Sequence, residues 1–190
     1  VSRFRLSIIS IFLAGCAGGP EAPDWQLNAA QAMAAFQQEY LVGDSSAADR
    51  DFALALNQLK RTGREDLLAR AQLLRCAVRA AALEFDDCPA FEALRSGASP
   101  ADVLYADYLA GKGSHAASDE PLSRLVSYAV ALRRGDIAPV DFPKAVDVAS
   151  AQGWRRPLLA WLGVQAKRAT DAGDAEAAAR LRRRMDLISK

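Results

Sequence analysis

Alanine fills 40 of the 190 positions, whereas Val, Ile and Thr together fill only 17. Four of those branched residues, Val1, Ile8, Ile9 and Ile11, lie in the first fifteen positions, which leaves 13 for the rest of the chain. Strands are built from branched and aromatic side chains, while Ala loses least on entering a helix. The imbalance argues against a sheet protein and against an α/β fold with a buried parallel sheet, and it predicts an all-α chain. A hydrophobic content of 51% is enough for one core. The 24 basic and 23 acidic residues leave no overall positive field, so no nucleic-acid partner is expected.

Glycines cut the chain into helix-length pieces. Gly43, Gly63, Gly135, Gly153 and Gly173 fall at intervals of 20, 72, 18 and 20 residues, and Gly97, Gly111 and Gly113 divide the long interval. Between the breaks, apolar residues recur at three and four positions, as in Leu67, Ala71, Leu74, Val78, Ala81 and Phe85. Leu122, Leu125, Val126, Ala129 and Leu132 repeat the pattern, as do Ala178, Leu181, Met185 and Ile188. Start signals agree: Asp24 is placed to cap the first helix, Ser99-Pro100 puts Pro at a first helical position, and Pro143 and Pro157 suit first turns. The pattern predicts about nine helices, over 25–42, 46–61, 64–83, 89–96, 100–110, 120–134, 140–151, 155–171 and 174–188. Residues 111–119, rich in Gly and Ser, are expected to form an exposed loop.

Leu158-Leu159-Ala160-Trp161-Leu162-Gly163, followed by Ala172-Gly173-Asp174-Ala175-Glu176-Ala177-Ala178, reads as one helix, a tight turn and the opening of a second. Arg134-Gly135-Asp136 precedes Ala172-Gly173-Asp174 by 38 residues, and Ala151-Gln152-Gly153 lies ahead of Leu162-Gly163. These phrases resemble the tetratricopeptide and Sel1-like repeats, helix pairs of about 34–40 residues. The resemblance covers 120–188 best. It implies antiparallel helix pairs stacked as a short right-handed solenoid over a single domain, 24–190. A plain Ala-rich bundle is the alternative.

The first residues read as an address. Arg3 and Arg5 precede an apolar or hydroxyl-bearing run, Leu6–Leu13, too short for the roughly 20-residue helix that crosses a bilayer. Leu13-Ala14-Gly15-Cys16 resembles the lipobox of bacterial lipoproteins. That resemblance implies removal of 1–15, acylation of Cys16 with palmitate-type chains, and a lipidated tether over 16–23. More than one acyl chain is what stable anchoring needs. Ala17, standing where family members retained in the inner membrane tend to carry Asp, implies delivery to the outer membrane, facing the periplasm.

With Cys16 acylated, Cys76 and Cys88 remain, and an oxidising compartment favours their disulfide. A helix from Cys76 to Leu83 rises about 10 Å, and five extended residues return up to about 17 Å. The bridge is therefore feasible if the helix ends near Leu83 or Glu84. No metal site is expected, because the one histidine, His115, is remote from both thiols. Neither a cofactor-binding motif nor a nucleophilic catalytic set is legible, and Glu84, Asp86 and Asp87 read as solvated residues around a helix end.

Trp154, Arg155, Arg156 and Trp161 place two large aromatics and two guanidinium groups around one turn, the chemistry of a protein or peptide-binding hot spot. The commoner fate of such residues is tryptophan in the core and arginine in water. Arg180, Arg182, Arg183 and Arg184 make the last helix basic, suited to solvent or to an anionic surface. The expectation is a non-enzymatic scaffold or assembly factor at the cell envelope. Its partners are an envelope protein or peptide and, through Cys16, the membrane. The alternatives are a peptidoglycan-active enzyme or polysaccharide-binding factor with dispersed carboxylates, and a carrier with an apolar cavity.

Overall fold

The computed structural model describes residues 23–116 and 118–189. Cys16, the expected leader 1–15 and all of the tether but Pro23 lie outside the described residues. Among the described residues nine α-helices run in order: α1 (Asp24–Val42), α2 (Ser45–Lys60), α3 (Glu65–Ala81), α4 (Pro89–Glu92), α5 (Pro100–Leu109), α6 (Pro121–Arg134), α7 (Asp141–Ala151), α8 (Arg155–Asp171) and α9 (Ala175–Ser189). A 3-10 turn, Arg95–Gly97, separates α4 from α5. Among the described residues there is no strand, and no helix is long and apolar enough to cross a membrane.

Eight of the nine helices lie within two residues of their expected bounds. The exception is 89–96, of which only Pro89–Glu92 is α-helical. From Leu94 onward each N–H reaches back three residues, Leu94 to Phe91 and Gly97 to Leu94, so the chain tightens into a 3-10 turn. That turn presses onto the start of α3: a Cβ at Gly97 would sit 2.6 Å from the Glu65 carboxylate. Two local expectations also shift. Ser99 accepts from the Asp102 N–H as an N-cap should, but Pro23, not Asp24, occupies the cap position of α1. Phe85 lies beyond the end of α3 and is 37% exposed, with the Arg133 guanidinium 5.6 Å above its ring.

The faces that the periodicity marks turn inward, α6 nearly wholly and α3 and α9 in part. Ala71, Val78 and Ala81 of α3, Leu122, Leu125, Val126 and Ala129 of α6, and Ala178 of α9 are all buried. The packing is partly sequential, α1 on α2, α6 on α7, α7 on α8 and α8 on α9, and partly long-range, α3 on α6 and α1 on α8. One main core results, with a small second cluster of Ala29, Leu59 and Ala71 beside it. The main core contains Phe36, Leu41, Phe91, Leu125, Trp161 and Leu162, each fully enclosed. Burying a side chain of this size stabilises by about 1.5–3 kcal/mol. Small side chains bring the helices close: Ala48, Ala55, Ala69, Ala129 and Ala145 have no exposed surface.

Candidate functional site

The four residues singled out around the start of α8 form an internal junction. Trp161 has no exposed surface, its indole N–H donates to the Ala81 carbonyl at the end of α3 (3.2 Å), and Phe142 packs against its ring. Trp154 is 6% exposed at the N-cap position of α8. Neither ring is open to a partner. Arg156 donates to the Tyr40 carbonyl (2.8 Å) and to Ser45 Oγ (2.6 Å), pairs with Glu84 (3.4 Å), and lies 4.3 Å over the Tyr40 ring. Arg155, exposed at its outer side, donates to the Val42 carbonyl at 3.1 Å.

The need for these bonds arises in α1. A helix ends with carbonyls that have no internal partner, and basic side chains near the C-terminus satisfy them. The last turn of α1 has no basic residue of its own. The Gly43 and Asp44 N–H groups reach the Glu39 and Tyr40 carbonyls, and Arg155 and Arg156, more than a hundred positions away, add donors to Val42 and Tyr40. Gly43 makes the approach possible twice over: its φ of 101° closes α1 in the left-handed region, and a Cβ there would meet the Arg155 guanidinium at 3.2 Å.

Tyr40 sits at the centre of this junction. Its hydroxyl lies beside Glu84 and Arg79 but meets hydrogen-bond geometry with no partner. Burial, reinforced by the Glu84 carboxylate, pushes its pKa well above the usual tyrosine value.

Of the carboxylates after α3, Asp87 is solvated as expected, its side chain 95% exposed, whereas Glu84 and Asp86 are partly buried in ion pairs. Glu84 pairs with Arg79 of α3 and Arg156 of α8, Asp86 with Arg79 (2.6 Å), and Asp87 with Arg133 of α6 (3.2 Å). One short segment therefore ties three helices together. It leaves α3 two residues earlier than expected, through Leu83 at φ 62°, and it enters α4 through Cys88 at φ 47°. The Cα atoms of Cys76 and Cys88 stand 5.9 Å apart, the spacing of a disulfide.

Asp86 also faces this pair. The ligand atoms of Cys76, Asp86 and Cys88 lie within 4.8 Å of one another. A disulfide consumes both thiolates and leaves one carboxylate, already held by Arg79, which is no metal set. A cleft of about 310 Å³ gathers Asp86, Asp87, Glu92 and Asp107. All four carboxylates are ion-paired, the last two with Arg95 at 2.9 and 2.7 Å. Their geometry is that of cross-links between elements. His115 stacks on Tyr105 and Tyr108, with centroids 4.8 and 5.3 Å away.

The open surface with binding chemistry lies elsewhere, on the outer side of α1 and α2. A shallow groove of about 320 Å³ is lined by Asn28, Gln31, Asp51, Leu54 and Gln58. Three side-chain amides can each donate and accept, and Leu54, 55% exposed, adds an apolar contact. The signal was present in the sequence as helical spacing, 28–31 on one helix and 51–54–58 on the next. No protein-family model, curated protein or solved structure matches this chain.

Proposed function

We propose that this chain is a lipid-anchored envelope protein, held at the outer membrane through Cys16 and facing the periplasm. Its helical body holds an extended peptide segment of another envelope protein. The single observation that carries the reading is the join of a Leu-Ala-Gly-Cys ending and short Gly/Pro tether to an all-helical body with an amide-lined open groove. An extended peptide exposes N–H and C=O groups along its length. Asn28, Gln31 and Gln58 offer complementary groups in a row. The arrangement we favour is a stack of antiparallel helix pairs of the tetratricopeptide and Sel1-like kind. The neighbour-on-neighbour packing of α6 through α9, over the stretch that carries the repeat-like phrases, supports it.

Two measurements test the two halves. Metabolic labelling with radioactive palmitate is expected to mark the wild-type chain and to spare Cys16→Ser; an unlabelled wild type ends the anchor reading. A photo-crosslinking amino acid at position 54 is expected to join one discrete envelope protein. The adduct should vanish with Asn28→Ala plus Gln31→Ala and should not form from position 187, which is 75% exposed on α9. Equal adducts from both positions would overturn the groove assignment.

A further inference from the structure

A second groove, of about 480 Å³, opens between α1 and α3 on another side of α1. Its volume falls in the range of small-ligand sites, roughly 300–1,000 Å³. Ala29, Leu59 and Ala71 form its floor, a buried cluster separate from the main core. Trp25, Met33 and Leu67 supply its walls. The space exists because Ala29 and Ala71 face each other where larger residues would close the gap between two helices.

The chemistry of the lining selects the occupant. Away from the exposed mouth, where the Gln26 amide sits, the only uncharged polar group of the lining is the Trp25 indole N–H, a donor. A polar chain laid on the apolar floor would lose its water and gain little in return. A hydrocarbon chain loses nothing and gains about 0.8 kcal/mol per buried methylene. The other charged groups at the groove are two guanidiniums, Arg64 and Arg70, at its edge. Each is more than half exposed and pairs with a carboxylate of its own chain, Arg64 with Asp66 and Arg70 with Asp102. The Arg64–Asp66 pair is exposed on both sides and worth little, so Arg64 can turn to an incoming anion at small cost; Arg70 stays on the buried Asp102 carboxylate and forms the rest of the rim. Arginine suits that anion because its planar fork matches a carboxylate.

From this complementarity we infer that the α1–α3 groove binds a single long-chain fatty acid, its hydrocarbon chain on the alanine floor and its carboxylate at Arg64.

The test uses the full chain in its own membranes. A fatty acid carrying a diazirine in mid-chain is added, photolysed, and the labelled peptides are mapped. Label is expected on 25–33 and 67–74. Ala30→Phe, which fills the groove from an exposed position, should reduce it at least about tenfold, a loss of about 1.4 kcal/mol in binding. Gln26→Trp gives a second block from the exposed mouth should the first variant fail to fold. Arg64→Ala should weaken labelling by the acid while sparing the matching fatty alcohol. Label confined to other helices, undiminished label in both blocked variants, or equal labelling by acid and alcohol in the wild type each overturns the assignment. So does capture of a polypeptide from position 67. Failure of the palmitate or position-54 experiments leaves these outcomes untouched, so the two readings fall separately.

Discussion

Arg155 and Arg156 open α8, and Arg180, Arg182, Arg183 and Arg184 run through α9. In the sequence both are basic clusters on amphipathic helices near a tryptophan or an alanine run. In the structure they do opposite things. The α8 pair reaches across the molecule to Val42, Tyr40, Ser45 and Glu84. The α9 group stays close to home: Arg180 pairs with Glu176 one turn away, Arg182 touches Thr170, and Arg184 reaches Ser150. The difference lies in what surrounds each helix. The start of α8 meets the end of α1, where the Tyr40 and Val42 carbonyls accept from it, and the carboxylate segment after α3. The helix α9 packs chiefly on α8 and buries only Ala178 completely, so its basic face looks at water. An arginine becomes structural when orphan acceptors converge on it, whatever its neighbours in sequence.

The comparison breaks most severely at Trp161. Trp161→Ala removes the largest enclosed side chain and the bond to Ala81, and should cost about 3–5 kcal/mol, read as a large fall in the urea midpoint. Next comes the covalent brace beside the junction. Cys76→Ser with Cys88→Ser opens a loop of 12 residues and is expected to lower stability by about 2–3 kcal/mol relative to the oxidised chain, measured by thermal unfolding. Arg156→Ala leaves Glu84 and the last turn of α1 without their shared donor; about 2 kcal/mol is expected. A loss under 0.5 kcal/mol would mean that water replaces the guanidinium freely.

Alkaline titration sharpens the contrast without a mutation. Tyr40 at the junction and Tyr105, pushed up to about 12, both hold their protons more tightly when folded than the ordinary phenol pKa of about 10. Their burial has its full effect on stability below pH 10, and that contribution drains away as the pH rises toward 12, because the unfolded chain releases those protons first. The unfolding free energy should be flat to about pH 9 and then fall, while α9, which has no tyrosine, contributes nothing to the slope. The smallest effect belongs to the outer helix: Arg182→Ala plus Arg183→Ala should stay within about 0.5 kcal/mol of wild type. A larger loss would show that α9 is braced by its arginines after all.

The sequence by itself determined the helical class, eight of nine helix positions and the residues that could bridge Cys76 to Cys88. These are local or short-range matters: alanine's low helix cost, a three-to-four apolar period, and the reach of a dozen residues. It also made the Asn28–Gln31 and Asp51–Leu54–Gln58 faces legible as spacing, though not as one groove. Only the tertiary structure decided that Trp154 and Trp161 are interior, that Glu84 joins α3 to α8, and that α1 carries one amide-lined and one largely apolar groove. Each of those outcomes depends on which helix ends and faces meet between elements distant in sequence, and side-chain type alone carries no record of its distant neighbours.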